Sequence, residues 1–276
     1  MRTPALILVK AGLAAAVALT ASPGAVSHPG IVAALNAERA ANGIPATVRE
    51  NTAWSARCAD HVRYMATTGT LSHEEDPSNP AYSPAGSWAG DNSVLALGYA
   101  WSKGDPFASS PIHLIQLMSP ELRQVGVASD PQGYLCVTTW PGYTSGGWRK
   151  PTIYTYPGNG TTNVPFSERP AEYPFVPGDF VGIPRGVPTG FNMMVFAEGV
   201  RDPWHARIVS ATLTGPSGTV EVKTVDRTTP TVGEYLPPGS GFVIPTTPLT
   251  PGTAYRASVR FAGSLPHTWH FVTAGG

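Results

Sequence analysis

The hydrophobic pattern changes its period once along this chain, near Trp140. Before that point helical spacing dominates. Ile31, Ala34, Leu35 and the pair Glu38-Arg39 follow a 3.6-residue repeat, which predicts a helix over 31–41 stopped by Asn42-Gly43. Asn51 or Thr52 is placed to cap a second helix, with Trp54, Cys58, His61-Val62 and Met65 at its inner spacing and Gly69 at its end. Within that helix His61 is read as a solvated flank. Pro77, Pro80, Pro84 and Gly86 predict loop over 74–90, and Ser93 to Leu97 a short helical turn. The apolar run Ile112 to Met118, behind Pro111 and with Ser110 as N-cap, predicts a third helix. Residues 124–128 and 134–139 then alternate as a hairpin around Ser129-Asp130-Pro131-Gln132-Gly133.

Beyond Trp140 the helical period is gone. Residues 141–163 hold eight Pro and Gly, which predicts a linker, placed at 146–163 between domains 28–145 and 164–276. The rest reads as short strands: 191–196, 208–213, 220–225, 241–244, 255–261 and 268–273. Tyr255, Ala257, Val259 and Phe261 alternate with Arg256, Ser258 and Arg260, so one face meets a core and the other water. Gly215-Pro216-Ser217-Gly218 joins two of these strands as a hairpin. Regular short strands predict an antiparallel sandwich. The fold class expected is α+β, an α-β-α sandwich followed by an all-β sandwich. The proline- and glycine-rich boundary predicts that residues 28–145 fold alone.

Composition narrows the function. Charged residues are 13% of the chain, the net charge is zero, and no basic run occurs, which argues against nucleic acid as a partner. The first 27 residues read as an export signal: Arg2 and Lys10, an apolar stretch Ala11 to Ala21, and Ala25-Val26-Ser27 at the cleavage position. No later segment reads as a membrane span after that signal is removed. Export favours oxidised cysteines, and only Cys58 and Cys136 occur. The expected bond joins the second helix to the hairpin; two separately buried thiols are the alternative.

The chemistry-bearing positions are His73, in Leu71-Ser72-His73-Glu74-Glu75, and His113, at the start of the third helix, with Asp91 between them. Two neutral imidazoles and one carboxylate suit an open site for zinc or another divalent ion, here His73, His113 and Asp91. The same trio suits general acid–base work without metal, or a buried polar cluster that only supports the fold. Ser72, Ser109 and Ser110 lie near the histidines, but no Gly-x-Ser-x-Gly elbow is present.

Four segments in order carry a family resemblance: Leu35-Asn36-Ala37-Glu38-Arg39-Ala40-Ala41-Asn42-Gly43, Met65 to His73, Gly90-Asp91-Asn92, and Ser110-Pro111-Ile112-His113 with Glu121 to Val127. They resemble the CAP superfamily, also called SCP-domain proteins (cysteine-rich secretory proteins, antigen 5 and pathogenesis-related proteins), most closely its bacterial branch, over about residues 30–140. The resemblance implies a secreted α-β-α domain whose cleft holds two histidines and acidic partners, and which binds a divalent ion in several members. His73 and His113 match the cleft histidines. Asp91 stands where the family has Glu, and the second family Glu has no match here; Glu75 or Asp105 is left as the candidate for that second acid. The C-terminal half resembles bacterial Ig-like modules, through Pro248 to Tyr255 and Trp269 to Thr273. The function expected is a non-enzymatic extracellular binding module, its ligand a lipid, peptide or cell-surface component. The alternatives are a metal-dependent hydrolase of peptide or cell-wall material, with Glu75 or Asp105 as base, and a lipid- or sterol-binding protein using a groove near Trp54, Trp88, Tyr99 and Trp101.

Overall fold

A computed structural model describes residues 29–98, 101, 104–144 and 151–276. The expected signal segment 1–27 and Tyr99 lie outside the described residues.

The N-terminal half begins with α1 (Pro29–Ala41), β1 (Arg49–Glu50) and α2 (Thr52–Thr68), followed by α3 (Pro84–Asp91) and β2 (Ser93–Leu97). It ends with α4 (Pro111–Met118), β3 (Gln124–Ser129) and β4 (Tyr134–Thr138). The four strands form one sheet in the order β1-β3-β4-β2, with β1 parallel to β3 and the other pairs antiparallel. Strand alternation sends side chains to two layers. Val94, Ala96, Val125, Val127, Leu135 and Val137 enter one core with Leu35 of α1 and Ile112, Leu114, Ile115, Leu117 and Met118 of α4. Leu95, Ala128, Tyr134 and Cys136 enter another with Cys58, Val62 and Met65 of α2 and Ala89 of α3. This is an α-β-α sandwich.

Local chemistry sets the helix ends. The Asn51 side chain accepts the Ala53 and Trp54 amides at the start of α2, and Gly69 closes it in the left-handed conformation at φ 67°. The α2 helix lies directly on β3: a Cβ at Gly126 would sit 2.4 Å from the Trp54 carbonyl carbon. Cys58 and Cys136 are bonded, joining α2 to β4 across this layer, with their Cα atoms 5.5 Å apart.

Two segments differ from expectation. The stretch 74–90 is loop only to Ser83. Ser83 caps α3 through the Gly86 amide and Pro84 occupies its first turn, where proline removes no hydrogen bond. Ser93 to Leu97 is not a helical turn but the strand β2, paired along its length with β4. An apolar run buried on both faces carries no period of its own.

The C-terminal half is a two-sheet sandwich. Its strands are β5 (Thr152–Tyr156), β6 (Thr161–Val164), β7 (Met193–Glu198), β8 (Ile208–Gly215), β9 (Gly218–Val220), β10 (Val222–Asp226), β11 (Ser240–Pro245), β12 (Ala254–Phe261) and β13 (His267–Thr273). One sheet runs β10-β11-β7-β5, the other β6-β13-β12-β8-β9, and all pairs are antiparallel except β6 with β13. Met193, Val195, Ala197 and Val243 face Leu213, Ala257, Val259, Phe261, Trp269 and Phe271 across its core. Strand β5 and all of β6 but Val164 fall inside the stretch 146–163 that sequence alone assigns to a linker. Thr152-Ile153-Tyr154-Thr155-Tyr156 is β-prone despite its Pro- and Gly-rich flanks.

The two halves share a core. The other face of the first sheet, with Met194, Phe196, Val225, Phe242 and Ile244, joins the same cluster as α1 and α4. The α1/α4 layer is thus packed between two sheets, and burying each of these aliphatic or aromatic side chains stabilises by about 1.5–3 kcal/mol. Polar contacts cross the same seam. Tyr156 Oη donates to Glu38 Oε1 (2.7 Å), the Gly158 amide to Asn42 Oδ1 (2.8 Å), and Gln116 Nε2 to the Tyr235 carbonyl (3.1 Å). A Cβ at Gly158 would lie 2.5 Å from the Asn42 carbonyl oxygen. The expected self-sufficiency of 28–145 does not follow from this packing, because cutting there opens the core cluster that α1 and α4 share with the C-terminal half.

Candidate functional site

His73 and His113 come together, their ring centroids 6.1 Å apart and their planes 24° from parallel. They arrive by different routes. His73 lies five residues beyond α2, whose end is fixed by Gly69. Its position depends on α3: a Cβ on Gly90 would fall 2.0 Å from the His73 carbonyl oxygen, so glycine permits that approach. The Gly90 carbonyl accepts His73 Nδ1–H at 2.8 Å. Since a carbonyl only accepts, this bond assigns the proton to Nδ1 in the neutral ring.

His113 stands in the first turn of α4. The expected cap, Ser110, makes no side-chain hydrogen bond to the helix. Glu172, far along the chain in the C-terminal half, supplies the cap instead. Its Oε1 accepts the Ile112 amide (2.9 Å), and its Oε2 accepts the His113 amide (3.1 Å) and His113 Nδ1 (2.8 Å). A carboxylate on the free N–H groups of a helix start is the favourable placement for an anion. Its side chain is 1% exposed and that of His113 14%. Burial raises the Glu172 pKa, opposed by its bonds to His113 and to the α4 amides. Phe107 stacks on His113, centroids 6.0 Å apart and planes 8° from parallel, and Trp101 meets Phe107 edge-on at 6.0 Å.

Both histidines therefore spend Nδ1 on an internal acceptor, and neither Nε2 has a hydrogen-bond partner among the described residues. Burial lowers the His73 pKa. The Gly90 bond opposes that, His113 and His61 reinforce it, and the Asp91 charge opposes it.

The acids expected from sequence are placed differently. Asp91 is the last residue of α3 and is exposed; it acts on His73 by charge. Glu75 is turned away into the α2/α3 layer. It contacts His61 Nδ1 at 2.9 Å, both side chains 0% exposed, and accepts the Ser83 amide at 2.9 Å. His61 is thus a buried residue and not a solvated one, with Nε2 donating to the Ser72 carbonyl at 2.9 Å. Its place in the inner stripe with Cys58, Val62 and Met65 is the signal in the sequence that marks it as buried. Together His61 and Glu75 pin the chain that delivers His73. Asp105 lies behind the ring stack, toward α1. Among the described residues no group of three or more His, Cys, Asp or Glu is placed to hold a metal ion, so His73, His113 and Asp91 do not form a three-ligand set. Sequence reasoning misses Glu172. Its partner is 59 residues away and Glu168-Arg169-Pro170-Ala171-Glu172 has no local pattern.

An α-β-α domain with two imidazoles facing one another defines the class of the N-terminal half. Residues 32–143 match the model of the cysteine-rich secretory protein family, CAP. No curated protein matches the chain. No helix among the described residues is long and apolar enough to cross a membrane.

Proposed function

We propose that this is an exported, non-enzymatic binding protein of bacterial type whose cleft takes its ligand on the Nε2 atoms of His73 and His113, directly or through one divalent ion such as zinc. One observation carries the reading: each Nδ1 is anchored on a buried acceptor, which leaves each Nε2 lone pair for an incoming group. Anchoring of this kind is the usual support of metal-bound histidine, and Gly90 O and Glu172 supply it here. Two protein ligands leave the other positions to water or to an oxygen donor of the ligand, so binding is weaker than in a three-ligand centre. Binding is favoured over hydrolysis because Glu75, one of the two acids expected as base, is engaged by His61, the other, Asp105, accepts the Phe107 amide, and Glu172 is engaged by α4. The disulfide suits an oxidising compartment. The C-terminal sandwich, which we read as Ig-like, serves as a structural partner of the cleft through Glu172.

Calorimetric titration with zinc at pH 7.5 and 5.5 tests this. Binding is expected at pH 7.5, weaker at pH 5.5, and lost in His73→Ala and in His113→Ala. Both rings must be neutral to bind. His73, with its lowered pKa, stays neutral below the ordinary histidine value of 6.5, so proton competition at that ring begins only below it. Undiminished binding in the double variant, or none in the wild type at either pH, would overturn the reading.

A further inference from the structure

Between β6, which ends at Val164, and β7, which begins at Met193, the chain leaves both sheets, and this excursion carries Glu172 to the start of α4. Its parts are held differently. Residues 175–183 form a foot on the shared core: the Phe175 ring meets Phe180 at 5.3 Å and Tyr235 at 5.8 Å between centroids, and Val176 is buried. Residues 169–174 form an arm in which only Glu172 is buried, while Arg169, Ala171 and Tyr173 are exposed. The arm gives no side chain to any hydrophobic cluster, so hydrogen bonds set its course. Glu168 closes the base: its amide and carbonyl exchange bonds with Thr189, and its Oε2 accepts the Asn192 amide and side-chain nitrogen at 2.7 Å each. The Ala171 amide donates to the Ser109 carbonyl at 2.8 Å. The remaining fastener is Arg185. Its Nη1 donates to the Glu172 carbonyl (3.0 Å), and its Nη2 to the Pro174 carbonyl (2.9 Å) and to Asp179 Oδ2 (2.6 Å). Asp179 Oδ2 in turn accepts the Val176 amide at 3.0 Å. One guanidinium thus ties the arm, on both sides of Tyr173, to the foot.

We propose that Arg185 is a positioning residue for the histidine pair: by holding the arm on its foot it sets Glu172 against His113, and so fixes which ring nitrogen His113 presents. Glu172 is pinned at both ends. Its carbonyl is held by Arg185, while its carboxylate takes the Ile112 and His113 amides and His113 Nδ1. When the arm is released the carboxylate no longer has a fixed place, and the His113 proton is free to move from Nδ1 to Nε2. The planar guanidinium suits this task, because its donors form a rigid fork that reaches two carbonyls and a carboxylate at once, which an ammonium does not. The Arg185–Asp179 pair is 46% and 26% exposed, and ion pairs so placed add little to global stability. Arg185 therefore acts on the geometry of the arm more than on the stability of the fold. Its effect on ion affinity rests on the reading of Nε2 as the ligand atom given above; its effect on the His113 tautomer does not.

The test compares the full chain with Arg185→Ala and Arg185→Lys at pH 7.5. Without metal, ¹⁵N shifts of the His113 ring should report the Nδ1–H tautomer in wild type, a tautomer mixture in Arg185→Ala, and a smaller shift toward the mixture in Arg185→Lys, which restores the charge but not the fork. In calorimetric titration, zinc affinity should fall on the order of 10-fold in Arg185→Ala, the low end for residues that support a metal-bound histidine from outside. Should Arg185→Ala not fold, the tautomer in Arg185→Lys decides. An unchanged His113 tautomer in Arg185→Ala, or in Arg185→Lys where that variant stands alone, overturns the proposal. Failure of the binding reading looks different: a wild type that takes up no zinc, beside an Arg185→Ala variant with a mixed tautomer, overturns that reading and supports the positioning role.

Discussion

Replacing Glu172 by Ala should destabilise the N-terminal α-β-α domain although the residue lies outside it. Three donors converge on this carboxylate: the Ile112 and His113 amides and His113 Nδ1. An ordinary N-cap replacement costs about 1 kcal/mol. Here the acceptor is charged and 1% exposed, and its loss leaves two amides at a half-buried helix start without a partner. Hydrogen bonds to charged groups contribute about 1.5–3 kcal/mol each, and the bonds are not additive. Water reaching His113, at 14% exposure, recovers part of the third. The expected cost is about 3–5 kcal/mol. Glu172→Gln, which keeps one acceptor oxygen, should lose about 1–2 kcal/mol. Urea unfolding followed by tryptophan fluorescence measures both. A second readout separates capping from bulk: ¹⁵N shifts of the His113 ring should report a fixed Nδ1–H tautomer in wild type and a tautomer mixture in Glu172→Ala. A loss below about 1 kcal/mol with the tautomer unchanged would show that Glu172 neither caps α4 nor orients His113.

Two shorter predictions follow from the architecture. The isolated segment 28–145 should fail to unfold cooperatively, because α1 and α4 lose the face they bury against Met194, Phe196, Phe242 and Ile244; a sharp calorimetric transition would refute the shared core. Cys58→Ala/Cys136→Ala should lower stability by about 4 kcal/mol, the chain-entropy figure for the 78-residue separation the bond spans, and a loss near zero in urea unfolding would mean that packing alone holds α2 on β4.

What the sequence by itself determined is what local physics controls. Helices α1, α2 and α4 follow from 3.6-residue spacing, α2 also from its Asn51 cap, and the 124–138 hairpin and strands β7, β8 and β11 to β13 from alternation and turn residues, while 220–225, expected as one strand, is divided between β9 and β10 of different sheets. The disulfide was legible from the two cysteines and the positions they take on the second helix and the hairpin, and the meeting of His73 with His113 through the order of motifs that resembles CAP domains. The departures share a cause. Proline breaks a helix from within, but Pro84 stands behind Ser83, which makes it a helix start. Ser93 to Leu97 has no period because both its faces are buried. Glu75 sits two residues from His73 but serves His61. Tertiary structure alone decided which acid serves the cleft. Glu172 reaches His113 only because β5 to β13 fold back over α1 and α4, and the free N–H groups at the start of α4 favour a carboxylate there. No spacing in the chain encodes that meeting, since the energy holding it comes from a core built by both halves.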